Sequence, residues 1–318
     1  MAEDMIFSTD EAVLSNLDRL SREHSVVSEQ RLLELYGIAL PMAKATLELF
    51  ESGLGAYEAL SMLSEMLTLG DYSLSAYNTD AHRHFISRSI TTLKNTDRAY
   101  LVELYLKALH DVGRGLTERD FLPASGMPET FTYVRNSLSD EAYDVFSQDF
   151  TDPKVKYSAS FKDAASAVTR EEVTYCLLPL EEKGGARLPT VSEIIFRNDF
   201  KINAVIPVFG PDGNADMKYA LVSRDFTVPK RGREDDLYLE IRIGAGSDFS
   251  LSEVLGAVEY FGMSVYRVNT VTFDTEGESE TYFSLVIKDM GNSFSGLLTY
   301  LTLFIRDFVP VGIYKNLE

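Results

Sequence analysis

The sequence has 318 residues, 45% hydrophobic and 25% charged, with 49 acidic against 30 basic side chains and a formal net charge of −19. That composition supports two or three ordinary cores and excludes a disordered chain. The charge repels phosphate backbones and anionic lipid, so neither nucleic acid nor a membrane is an expected partner. The largest basic cluster, Lys230-Arg231-Gly232-Arg233, runs straight into Glu234-Asp235-Asp236 and reads as a solvated linker. No apolar run reaches the ~18–20 residues of a membrane span. The first residues lack the basic start and apolar centre of a secretory signal. With one cysteine, Cys176, inside an apolar stretch, no intrachain disulfide can form. A cytoplasmic setting is expected.

Residues 1–120 read as an all-helical domain. Ser8-Thr9-Asp10-Glu11 resembles a helix start, with Val13, Leu14, Leu17 and Leu20 following at helical spacing. Arg31 to Phe50 carries a broad apolar face, which Pro41 should bend or divide and Gly53 should end. Further helices are expected over Ala56–Leu69, Asp80–Leu93 and Asp97–Val112, making a bundle or array. His82 and His84 stand two apart, a spacing that points to different helix faces, and His24 and His110 are isolated. No metal site and no cofactor are expected. Arg19, Arg31, Lys44, Arg83 and Arg88 are scattered and do not build the anion pocket of a helical chorismate mutase.

Gly113 to Pro128 breaks regular structure. Residues 129–226 then alternate strand and helix as β-α-β-α-β-α-β-β, a small α/β layer. Its centre is Phe161 to Val208: a helix, an apolar burst from Val173 to Leu178 halted at Pro179, an acidic loop from Glu181 to Arg187, a helix, and an apolar strand from Ile202 to Val208. Apolar strands flanked by amphipathic helices predict a parallel sheet covered on both faces, with ligands at the strand carboxyl ends. Ser139-Asp140-Glu141 is expected to cap the helix carrying Ala142, Val145 and Phe146. Residues 235–318 read as βαββαβ, the ferredoxin-like layout. The fold class is therefore multi-domain α and α/β: an N-terminal helical bundle, a small α/β lobe and a C-terminal ferredoxin-like domain.

From residue 130 onward the chain resembles a prephenate dehydratase followed by its regulatory ACT domain. Tyr133 to Tyr143 (YVRNSLSDEAY) is similar to that family's opening strand, loop and helix. Cys176 to Lys183 (CLLPLEEK) is similar to its "VLPIENS" segment, and Met217-Lys218-Tyr219 stands where its "TRF" segment would. Leu237 to Tyr314 resembles an ACT domain throughout. The family has two α/β lobes with the substrate between them. Here only Phe209 to Asp216 join the strand ending at Val208 to that starting at Met217, so the resemblance implies a single truncated lobe.

The departures fall on the chemistry. The threonine of "TRF" is Met217 and its arginine Lys218; "ENS" has become Glu181-Glu182-Lys183; a glycine-proline pair is Arg135-Asn136. In the ACT part, the phenylalanine-holding segments are replaced by Phe249-Ser250-Leu251 and Asn269-Thr270-Val271-Thr272. The resemblance thus implies a non-catalytic relative that senses a small carboxylate, an amino acid or an aromatic metabolite, or serves assembly. Its ligand edge would be Arg135, Asn136, Ser139, Glu181, Glu182, Lys183, Arg187 and Lys218. The alternative is an active enzyme converting prephenate to phenylpyruvate, with Glu181, Tyr219 or Ser223 as proton donor. A third reading gives the helical region a partner-recruiting role. A homodimer through the ACT domain is the expected assembly.

Overall fold

The computed structural model describes residues 29–69, 93, 95–121, 129–209, 215–226, 236–246, 250–275, 278–305 and 308–315. The expected helices near Ser8 and over Asp80–Leu93, all histidines but His110, Arg19, Arg83, Arg88 and the basic cluster at Lys230 lie outside these residues.

In chain order the elements are α1 (Glu29–Glu51), α2 (Ala56–Leu69), α3 (Asn95–Asp111), α4 (Glu118–Phe121), β1 (Thr130–Val134), α5 (Ser137–Phe146), β2 (Lys154–Ser158), α6 (Phe161–Thr169), β3 (Tyr175–Glu182), α7 (Pro189–Arg197), β4 (Lys201–Phe209) and β5 (Ala215–Ser223). They continue with β6 (Leu237–Gly244), α8 (Leu251–Tyr260), β7 (Ser264–Thr275), β8 (Glu278–Lys288), α9 (Ser295–Phe304) and β9 (Phe308–Lys315). The chain forms two units that cut across this order. One comprises residues 1–117, 250–260 and 295–305; the other comprises 118–249, 261–294 and 306–318.

The first unit is helical. Leu32, Leu35, Ile38, Ala39, Met42 and Leu49 of α1 are buried, as are Leu60 and Leu63 of α2 and Tyr100, Leu101, Leu104, Tyr105 and Leu109 of α3. Pro41 does not divide α1, which runs unbroken through it. The bond forfeited is the one to the Gly37 carbonyl. Gly53, at φ +95, ends the helix run as expected. The helices of the βαββαβ segment belong to this unit. Ser64 Oγ on α2 donates to the Leu303 carbonyl on α9 at 2.7 Å, and Tyr260 Oη on α8 donates to Glu103 on α3 at 2.7 Å. Helix α9 is buried from Gly296 to Leu303, consistent with its apolar residues on every side.

The second unit holds a nine-stranded sheet in the order β2-β1-β3-β5-β4-β9-β6-β8-β7. The element order matches the reading of the α/β layer, but the sheet is mixed, not parallel. β1 pairs in parallel with β2 and β3, while β5 inserts antiparallel between β3 and β4. A short β4–β5 connection returns the chain beside its own strand, which forces the antiparallel pairing. Strand β9 joins the halves, parallel to β4 at Ile202 and Gly312 and antiparallel to β6. A Cβ on Gly312 would overlap the Ile202 carbonyl oxygen and sit 3.0 Å from Ile202 Cβ, so the close approach requires glycine there.

Strand alternation divides the lobe's core into two faces. Leu177, Tyr219 and Leu221 pack with Phe131, Tyr133 and the α5 residues Ala142 and Phe146. Cys176, Leu178, Ala220 and Val222 pack with Val168 of α6 and Val191, Ile194 and Ile195 of α7.

Candidate functional site

Strand β3 does not stop at Pro179. It continues to Glu182, absorbing the proline at a register shift between Pro179 and Glu181 against β5. The next residues fold straight back. Glu182 N–H donates to the Ala186 carbonyl at 2.9 Å and Leu188 N–H to the Leu180 carbonyl at 3.1 Å. Gly184 and Gly185, at φ +94 and +83, supply the left-handed backbone that this reversal demands. The outcome is a bridge that sets Arg187 directly beside Glu181.

Around that pair lies a buried network of two carboxylates and two guanidiniums. Arg187 donates from Nε to Glu181 Oε1 at 3.2 Å, and from Nη1 and Nη2 to the two oxygens of Glu240 at 3.1 and 2.7 Å. Arg267 grips Glu181 with both terminal nitrogens, at 2.5 and 3.3 Å. Tyr314 Oη donates to Glu240 Oε2 at 2.9 Å and Ser284 Oγ to Oε1 at 3.4 Å. The Glu181 and Glu240 side chains are 7% and 4% exposed. Charges so deeply buried persist only when paired and hydrogen-bonded, and these are. Burial works to lower the Arg187 pKa, but the nearby Glu240, Tyr314 and Glu181 outweigh it and the net shift is upward. Burial, then the charge of Glu240, hold the Tyr314 phenol well above its ordinary value. The open space left among Leu180, Glu181, Arg187, Lys218, Tyr266 and Arg267 is about 10 Å³, room for one water at most.

The other expected site residues fall elsewhere. Lys218 lines the same small cavity. Glu182 is exposed, and Lys183, also exposed, lies 3.3 Å from Asp216. Arg135 is exposed, 3.4 Å from Asp140 and over the Tyr157 ring. The cap of α5 is Asn136, not Ser139. Asn136 Oδ1 accepts from Ser139 N–H at 2.9 Å, while Ser139 Oγ accepts from Asn136 N–H at 2.8 Å. Ser139 is the third helical residue, because the helix begins at Ser137. Tyr219 is buried on the α5 face of the sheet, hydrogen-bonded to Asn136, and burial raises its pKa. Ser223 Oγ donates to the Asp225 carbonyl and accepts from Asn203. The structure therefore brings Glu181, Arg187 and Lys218 together on one face, and Asn136, Ser139 and Tyr219 together on the other.

Glu240, Arg267, Ser284 and Tyr314 are absent from the sequence reading. Their signal was Glu240 and Arg242 alternating with Leu239, Ile241 and Ile243 in β6, a pattern that ordinarily marks a solvated face. His110 is exposed, and among the described residues no group of histidine, cysteine and acidic side chains is placed to hold a metal ion. No helix among them is long and apolar enough to cross a membrane.

No family model matches the sequence, and no curated protein does. Solved structures do. The chain is similar to GqqA, described as a novel type of quorum quenching acylase, at 19% identity and a TM-score of 0.43 over 58% of this chain and 93% of that one. It is similar to prephenate dehydratase from Streptococcus mutans, at 15% identity and 0.45 over 60% and 99%. It is also similar to prephenate dehydratase in complex with L-Phe from Arthrobacter aurescens, at 13% identity and 0.44 over 58% and 89%.

Proposed function

We propose that the chain is a non-catalytic relative of the prephenate dehydratases: a helical domain (1–120), one truncated α/β lobe (129–226) and an ACT-like domain (235–318). Its role is to sense a small carboxylate, an amino acid or an aromatic metabolite, or to assemble in response to one. The observation that carries this reading is the state of Glu181. It is the acidic residue left in the family's motif, and its oxygens accept from Arg267 and Arg187 in a space closed to anything larger than water. That arrangement suits a carboxylate that accepts, not an acid that delivers a proton to a departing hydroxide. Met217 offers no proton, and Tyr219 and Ser223 are occupied within the core. The network ties β3 and the β3–α7 loop to β6, β7 and β9, so it suits a coupling element between lobe and ACT-like domain. A cytoplasmic homodimer completes the proposal. Strand β7 is an edge of the sheet with Val265, Tyr266 and Val268 exposed, and an edge of this kind is open to pairing.

The test is thermal stability with and without prephenate, phenylalanine, tyrosine and tryptophan near millimolar. A ligand at 100 times its dissociation constant stabilises by about 2.7 kcal/mol. A shift with an amino acid supports sensing. A shift with prephenate alone, followed by phenylpyruvate formation, would establish the enzyme. No shift with any of the four sinks the aromatic-metabolite reading.

A further inference from the structure

Beyond the closed network, the same sheet face carries an open cleft of about 490 Å³, a volume within the range that holds small molecules. It is lined by helix α7, by residues 269–273 of β7 and by Arg242 of β6. Part of the lining is apolar. Phe196 and Phe273 stack with centroids 4.2 Å apart at 25°, and Ile195, Val271 and Val311 extend that surface.

Arg242 is the chemically unusual member. Its side chain is 13% exposed, and its guanidinium lies over the Phe196 ring at 4.3 Å. Its Nε is buried and, among the described residues, has no hydrogen-bond partner. Its ion pair is long, 3.8 Å to Asp199 Oδ1, an oxygen that already accepts from Lys201 Nζ at 2.7 Å. Asp199 is itself 67% exposed, so its pull on Arg242 is screened. Arg187, which lines the same cleft, shows the contrast: its Nε, Nη1 and Nη2 all donate to buried carboxylates. A guanidinium is a planar fork of five donors matched to a carboxylate, and leaving one buried with donors unused is costly. The burial shifts its pKa downward, with the nearby acids only partly opposing.

We infer that this cleft binds a small monocarboxylate with an apolar or aromatic body, the carboxylate taken by Arg242 and the body set against Phe196, Phe273 and Val271. Asn269, Thr270 and Ser192 line the cleft as the polar groups available to the ligand's remaining substituents. The inference rests on the small-molecule reading above and supplies its site. It also separates that site from the motif positions at Glu181. Because the cleft joins α7 of the lobe to β6 and β7, an occupant would brace the two parts together.

The test is calorimetric titration of the full chain with 3-phenylpropionate at millimolar concentration, alongside 3-phenylpropan-1-ol, which has the same body without the charge. The acid is expected to bind and the alcohol to bind at least tenfold more weakly. Arg242→Gln and Phe273→Ala should each weaken the acid at least tenfold, and Arg242→Lys should fall between Arg242→Gln and the natural protein. Arg242→Met guards against a folding artefact: it removes an under-partnered buried cation, so its melting temperature without ligand should not fall while the response to 3-phenylpropionate disappears. No binding of the acid, equal binding of the alcohol, or unchanged affinity in Arg242→Gln overturns the site. If an aromatic amino acid still stabilises Arg242→Gln fully, the sensing role stands and this site falls. If 3-phenylpropionate binds through Arg242 while none of the four metabolites does, the site stands and the aromatic-metabolite role falls.

Discussion

Replacing Arg187 with methionine tests whether the buried network holds the second unit together. The change removes three hydrogen bonds, at 3.2, 3.1 and 2.7 Å. Glu181 keeps Arg267, but among the described residues Glu240 then keeps hydrogen bonds from the Tyr314 and Ser284 hydroxyls alone. Breaking a buried pair by removing one partner costs about 3–5 kcal/mol, because the other charge stays behind. At about 2–4 °C per kcal/mol for a unit of 150–250 residues, the melting temperature should fall by roughly 6–20 °C. Calorimetry and urea unfolding would measure it, with Glu240→Leu and the double variant completing a cycle. The double variant should be less destabilised than the sum of the two single changes by at least about 1.5 kcal/mol, since neither charge is then stranded. An Arg187→Met protein within about 1 kcal/mol of the natural one would refute the reasoning. It would mean that water solvates these charges and that the network does not couple the parts.

Gly312→Ala should destabilise by about 1–3 kcal/mol and speed hydrogen exchange in β4 and β9, because the new methyl must push Ile202 away; exchange unchanged at Ile202 would contradict this. Asn136→Ala should cost about 1 kcal/mol through the lost cap on α5, read by urea unfolding, while Ser137→Ala beside it should cost much less. Stability should decline as pH rises above about 10. The folded Tyr314 pKa lies above the ordinary 10.0, so its contribution is complete below that pH and is lost as the unfolded phenol ionises first. Tyr314→Phe should flatten part of that slope between pH 9 and 11 in urea melts.

The order of strands and helices from Thr130 onward was legible because each element keeps its own period, 2 or 3.6, and because glycines mark the turns at Gly113 and Gly184–Gly185. What defeated the reading was burial decided by distant partners. Tyr238, Glu240 and Arg242 look like the wet face of an amphipathic strand. They are covered by distant partners, Arg187 on Glu240 from 53 residues earlier, Phe196 against Arg242, and Tyr266 and Tyr314 against Tyr238, and no local pattern announces that. Pro179 looked like a stop because proline lacks a donor, yet a bulge at that point lets the strand pass. The broad apolar faces of α1 and α3 suggested a recruiting surface. In the first unit they are buried, with α8 and α9 among their companions. Glu181 was found through the family motif and Arg187 through its place in the loop after β3, but their purpose changed once Arg267 and Glu240 came into view.

The placement of β9 sets the order in which this protein can be built. It is the last of the nine strands to be synthesised, yet it stands between β4 and β6, inside the sheet and not at its rim. Until it arrives, the strands from residues 130–223 and those from 237–288 are separate half-sheets, each presenting an unpaired backbone edge. Loop closure across more than 100 residues must precede the join at Ile202 and Gly312, which makes that step slow and leaves both edges open to wrong partners. A nascent chain halted before β9 would therefore carry two adhesive borders, at β4 and β6, that the finished molecule no longer has.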